Sequence, residues 1–171
     1  MLLILFIILF LLLSALFSGS EIAYVSANKL KIELLKKRGG RRGNILAYFY
    51  DRPAEFLGTM LVGNNIALVA FTALMGQLLT PLTDDYITSP FLLFLTNTVI
   101  ITAVVLLFGE FLPKTLFRLF SDSILFVLAY PLRFLQWLLA VPAWLMTRLS
   151  NLLLKSFFKI PLEQTEQVFT R

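Results

Sequence analysis

The sequence predicts an all-α membrane protein, with three transmembrane helices followed by amphipathic helices in the juxtamembrane interface on the cytoplasmic side. Three observations carry that prediction. The chain is 58% hydrophobic with a mean hydropathy of +0.85, whereas soluble domains are about 45–50% apolar. Its apolar residues fall in runs long enough to cross a bilayer, which takes about 20 helical residues. Its basic residues are concentrated between the first and second runs, where a cytoplasmic loop would collect them.

The first span covers residues 2–25. It lacks the early Lys or Arg and the small-residue cleavage site of a signal peptide, and Ser18, Gly19, Ser20 and Glu21 interrupt it instead. A basic stretch follows, with Lys29, Lys31, Lys36, Lys37, Arg38, Arg41 and Arg42 opposed only by Glu33, and broken by Gly39 and Gly40. Such a run reads as a solvated helix face and turn that also meets anionic lipid headgroups. A basic run between two spans needs no nucleic acid as its partner. By the positive-inside rule it is cytoplasmic, which puts the N-terminus outside and the C-terminus inside a multi-pass protein of the cell (inner) membrane.

Asp51 and Pro53 are start signals for the second span, residues 56–79. Gly63, Ala67, Ala70 and Ala73 give it a stripe of small residues for close helix packing, within one protomer or between two. Residues 80–90 form a loop with Asp84 and Asp85 and no Lys or Arg, as expected outside. The third span covers 91–117 and ends in Lys114 and Arg118. The apolar stretch 122–158 is interrupted by Pro131, Arg133, Gln136, Pro142 and Arg148. An Arg at the bilayer centre costs about 2.5 kcal/mol or more, so bent interfacial helices are expected there rather than a fourth span. Residues 1–160 thus form the membrane domain, and the polar tail 161–171 reads as the start of a linker.

The chain has no Cys and no His. This excludes disulfides and thiolate or imidazole metal sites, and it leaves no nucleophile–base pair, so no enzyme is expected. A bound metal would be held by oxygen, which favours hard cations such as Mg²⁺, Ca²⁺ or Na⁺. Three polar sets inside the spans supply such oxygens. Ser14, Ser18 and Glu21, spaced four and three apart, share a helix face. Gly63-Asn64-Asn65 puts two amides in the second span. Gly109-Glu110-Phe111-Leu112-Pro113-Lys114 puts a carboxylate in the third. Pro113 has no N–H to give the Gly109 carbonyl four residues back. Each set also has a purely structural reading: serines bonded to their own helix, asparagines holding helices together, and a Glu110–Lys114 pair. At about 1.5 Å per residue, Ser14 lies about 20 Å from the outer end of the first span and Asn64 about 12 Å from the inner end of the second, so the two are at similar depth.

The three sets, in this order and spacing, resemble the transmembrane domain of the CNNM/CorC family, implicated in magnesium transport and efflux. The resemblance covers essentially the whole chain. It implies three spans with a cytoplasmic helical belt, a homodimer, and a cytoplasm-facing Mg²⁺ site. It carries the metal ligands onto Ser14, Ser18, Asn64, Gly109 and Glu110. Glu21, Asn65 and Lys114 form a second tier along the cation pathway. It also implies cytoplasmic CBS-type domains in a full-length chain, which these residues do not include. A Ser, Asn and carbonyl site serves Na⁺ as readily as Mg²⁺, so Na⁺ as a coupling ion stays open. Against transport stands a second reading, a non-transporting membrane anchor, scaffold or Mg²⁺ sensor for a regulatory domain.

Overall fold

The computed structural model describes residues 1–37, 39–146 and 148–149. The expected linker 161–171 and the end of the interfacial stretch lie outside them. The first long helix, α1 (Leu2–Ser26), is followed by the short α2 (Lys29–Lys37) and α3 (Arg41–Asp51). Next comes α4 (Pro53–Thr83). The third span is composite: α5 (Pro90–Val104), a π-helical segment (Val105–Phe111) and α6 (Leu112–Leu119). After it runs α7 (Ser121–Leu138). Three helical stretches, Leu2–Ser26, Pro53–Thr83 and Pro90–Leu119, are long and apolar enough to cross a membrane. The chain is therefore an all-α membrane protein.

The second span starts earlier and ends later than expected. Pro53 occupies the first turn, where its missing N–H costs nothing, and Glu55 sits at the positive helix end. At the other end the helix runs through Pro81 to Thr83. The expected 80–90 loop therefore shrinks to residues 84–89, and the hydroxyls of Thr80 and Thr83 bond back to the carbonyls of Gly76 and Leu79 at 2.8 and 3.0 Å.

The turns at the basic end are set by a few polar contacts. The Asn28 side chain accepts the Leu30 N–H at 3.0 Å, capping α2. Gly39, at φ 74°, supplies the left-handed backbone that turns α2 into α3. The two helices then pack so closely that a Cβ on Gly43 would stand 2.5 Å from the Leu35 carbonyl oxygen.

The buried core sits at this same end, where Tyr24 of α1, Phe49 of α3, Phe56 and Met60 of α4, and Leu125 and Ala129 of α7 are all buried. Tyr24 stacks on Tyr50 with ring centroids 4.4 Å apart, and the Tyr50 hydroxyl donates to the Tyr24 carbonyl at 2.7 Å.

Both ends of α7 are tied at one level of the bundle. Asp122, in its first turn, accepts the Asn28 N–H at 2.9 Å and pairs with Lys31 at 3.1 Å, just past the end of α1. Gln136, near its last turn, donates to Glu55 at 3.3 Å, at the start of α4. Those two residues are about 21 Å apart along a helix. With both tied at the basic end, α7 runs across the bundle rather than along it. Arg133 lies 3.8 Å over the Tyr48 ring and donates to Gln136 at 2.9 Å. Two of the polar residues that interrupt the apolar stretch, Arg133 and Gln136, thus dock it on α3 and α4. Beyond Leu138 the chain bends by 66° into Ala140–Met146.

Candidate cation site

Each of the three polar motifs contains a glycine, and each glycine is a helix contact. A Cβ on Gly63 would stand 2.5 Å from the Phe17 ring. One on Gly19 would stand 2.6 Å from the Phe117 ring. One on Gly109 would stand 3.3 Å from the Ser14 hydroxyl oxygen. The bare backbones let α1, α4 and the third span close on one another. The neighbours of these glycines point about 100° round the helix. For Asn64 that rotation leads into the seam beside α1.

Ser14 is the hub. It is fully buried, and its hydroxyl donates to Asn64 Oδ1 at 2.8 Å, with Gly109 on its other side. Residues from all three spans therefore meet at one side chain. Ser18, one turn further along α1, is also buried, and its hydroxyl has no hydrogen-bond partner among the described residues. This is unlike the span threonines. Thr59, Thr98 and Thr115 bond back to the carbonyls of Glu55, Phe94 and Phe111 at 2.7, 2.8 and 2.8 Å. The self-bonded reading of the serines therefore holds for neither Ser14 nor Ser18. An unpaired buried hydroxyl costs about 1–3 kcal/mol, so Ser18 is a polar group in want of a partner, with lone pairs free for a donor or a cation. Ser20 is in the same state. Two residues of helix turn it about 200° from Ser18, onto another face of α1.

The π-helical turn changes what Pro113 does. The Leu112 N–H bonds the Leu107 carbonyl, five residues back. In that register the N–H that the proline lacks is the i+5 donor of Phe108, where the sequence pointed to the i+4 donor of Gly109.

The other named residues are arranged differently. Glu110 pairs with Lys114 at 3.1 Å. The pair lines an open surface of about 500 Å³ built wholly from the third span, with Leu106, Leu107 and Phe111. No hydrogen bond links Glu110 to Ser14 or Asn64 among the described residues. Asn65 lies on the exposed face of α4 and donates to its own Leu61 carbonyl at 2.8 Å, so it is not brought to the seam. Glu21 is half-buried on the Ser14–Ser18 side of α1 and takes no ion pair among the described residues. Among those residues no group of three His, Cys, Asp or Glu side chains could hold a metal. Hydroxyl, amide and backbone oxygens are what this seam offers, a set suited to a hard cation.

The chain as a whole has relatives. Residues 4–171 match the family described as the Cyclin M transmembrane N-terminal domain, CNNM. The chain belongs to the CNNM family. The UPF0053 inner membrane protein YfjD of Escherichia coli is 28% identical over 84% of the chain and 32% of its own length. A UPF0053 protein of Haemophilus influenzae is 29% identical over 91% of the chain and 35% of its own length. The UPF0053 protein sll1254 of Synechocystis is 28% identical over 81% and 38%. This CNNM domain thus spans about a third of the curated relatives it matches.

Proposed function

We propose that this CNNM domain transports Mg²⁺ out of the cell through the seam between α1, α4 and the third span. The observation that carries the reading is Ser14: buried, bonded to Asn64 and packed on Gly109, with the unpaired Ser18 hydroxyl one turn away. Ser14, Ser18, Asn64 and the carbonyl of Gly109 replace part of the ion's hydration shell. Glu21 and Glu110 draw the dication toward the seam, the latter once released from Lys114. A Na⁺ gradient is the proposed driving force, since the same oxygens suit Na⁺.

The basic stretch, including Lys29 and Arg42, faces the cytoplasm, and α7 lies in that interface. A cysteine at position 36 in the Cys-free chain then resists labelling from outside, and external labelling would reverse the orientation. The working unit is a homodimer. The small-residue stripe supports this less than the third span does: Gly63 and Ala67 are buried within the protomer. Among the described residues no other helix covers the Glu110–Lys114 surface, and charges facing lipid are costly. In a full-length chain, CBS-type domains would follow at the cytoplasmic end.

The deciding experiment is flux in proteoliposomes with Mg²⁺ and Na⁺ gradients imposed separately. Mg²⁺ movement that is accelerated by an opposing Na⁺ gradient and abolished in Asn64→Ala is the expected result. No flux above empty vesicles would favour the anchor or sensor reading.

A further inference from the structure

Away from the spans, an open cavity of about 430 Å³ lies at the basic end between the α2–α3 turn and α7. Arg41, Arg42 and Gly43 form one wall, and Phe126 and Tyr130 the other. The Arg42 guanidinium lies over both rings, 5.1 Å from the centroid of Phe126 and 5.5 Å from that of Tyr130. That stacking fixes its plane while leaving its edge N–H groups to other partners. Arg41 is exposed and takes no hydrogen bond, ion pair or ring contact among the described residues. Two nearby lysines are spent on carboxylates, Lys31 on Asp122 and Lys36 on Asp51. The two arginines at this pocket have no such partner.

We propose that this pocket binds the phosphate of an anionic phospholipid headgroup. Arg41 and the edge of Arg42 hold the phosphate oxygens, and the Phe126 and Tyr130 rings lie along the glycerol and the first methylenes. A fork of guanidinium donors suits a phosphate, and basic pockets between helices at the cytoplasmic face are where such headgroups bind. A lipid source is favoured over a soluble anion by depth. The aromatic wall belongs to α7, which crosses the inner ends of the spans and exposes the apolar Val127 and Phe134 together with Trp137, a residue type of membrane interfaces.

The test uses the whole chain in mixed micelles of phosphatidylcholine with or without phosphatidylglycerol. Native mass spectrometry reads the bound lipid and thermal melts read its effect. Wild type should keep phosphatidylglycerol through delipidation and melt higher in its presence. Arg41→Gln should weaken retention roughly tenfold, the scale of a lost charge-assisted hydrogen bond. Arg42→Gln also unseats the ring stack, so Arg41→Gln is the discriminating variant. Lys37→Gln removes an equal charge from the same stretch and should change retention less than about twofold. Equal losses in Arg41→Gln and Lys37→Gln would reduce the effect to diffuse attraction and overturn the site. So would inorganic phosphate giving the same melting shift as the lipid, which would make the ligand a soluble anion.

Discussion

Two asparagines join helices inside the membrane spans, and they do it differently. Asn97 of α5 uses both ends of its amide. Its Oδ1 accepts from Thr83 at 3.0 Å and its Nδ2 reaches Thr80 at 3.5 Å. Asn64 of α4 uses one end only, accepting from Ser14 at 2.8 Å, and its amide nitrogen donates to nothing among the described residues. The Asn97 contact is flanked by threonines bonded to their own helix, whereas the Asn64 contact has the unpaired Ser18 hydroxyl beside it. A polar group whose only task is to hold helices together ends up satisfied. The idle amide donor of Asn64 and the unpaired hydroxyl of Ser18 mark this contact as a place for something else.

Four experiments break or sharpen that contrast, and the first has the largest expected effect. Asn64→Ala and Ser18→Ala should each lower Mg²⁺ affinity at least tenfold by calorimetry, about 1.4 kcal/mol per lost ligand, with the metal-free melt nearly unchanged in Ser18→Ala. Unaltered affinity in both would make the two asparagines equivalent. Asn97→Leu should behave in the opposite way. It should lose about 0.6–1.7 kcal/mol of helix association, seen as a lower melting temperature, at constant Mg²⁺ affinity.

A smaller effect divides Glu110 from Lys114. If the carboxylate guides the dication, Glu110→Gln weakens Mg²⁺ binding and Lys114→Gln strengthens it. Each changes affinity by roughly threefold, the scale of a partly exposed ion pair. Equal and parallel changes would return the pair to a packing role.

The smallest effect lies outside the spans. The Asn28 N–H holds the Asp122 carboxyl below its ordinary value of 3.8, against partial burial and with help from Lys31. Its contribution, under about 1 kcal/mol, is therefore complete above about pH 4 and lost as the pH falls through the lowered folded-state value. Melts across that range should show Asp122→Asn less stable than wild type at neutral pH and the difference closing in acid. A difference independent of pH would rule out the ionised pair as its cause.

Much of this was legible in residue spacing. The three spans follow from run length, and the meeting of Ser14 with Asn64 and Gly109 follows from depth and the adjacent glycines. The helix register of the third span was not legible. Pro113 announces a missing donor, but whether the carbonyl losing it lies four or five residues back depends on packing against α1. That same register sends Glu110 to the outer surface, away from its neighbour Gly109. Asn97 gave no signal because a lone amide in an apolar run has no pattern. The roles of Arg133 and Gln136 were half visible: their cost in lipid argued against a crossing, but their partners at Tyr48 and Glu55 lie about 80 residues away in sequence.

The three glycine contacts have a consequence for how the protein is made. Each span is apolar enough to enter the bilayer alone, before it meets the others. None of them carries the seam by itself. The Ser14 environment comes into being only when α1, α4 and the third span have docked. A ligand of that seam therefore binds the assembled bundle and not the separated helices, and by mass action it favours the assembled form. At a concentration a hundred times its dissociation constant, such a ligand would add about 2.7 kcal/mol to assembly. The supply of ligand during biogenesis would then govern how much of the inserted chain reaches its final packing.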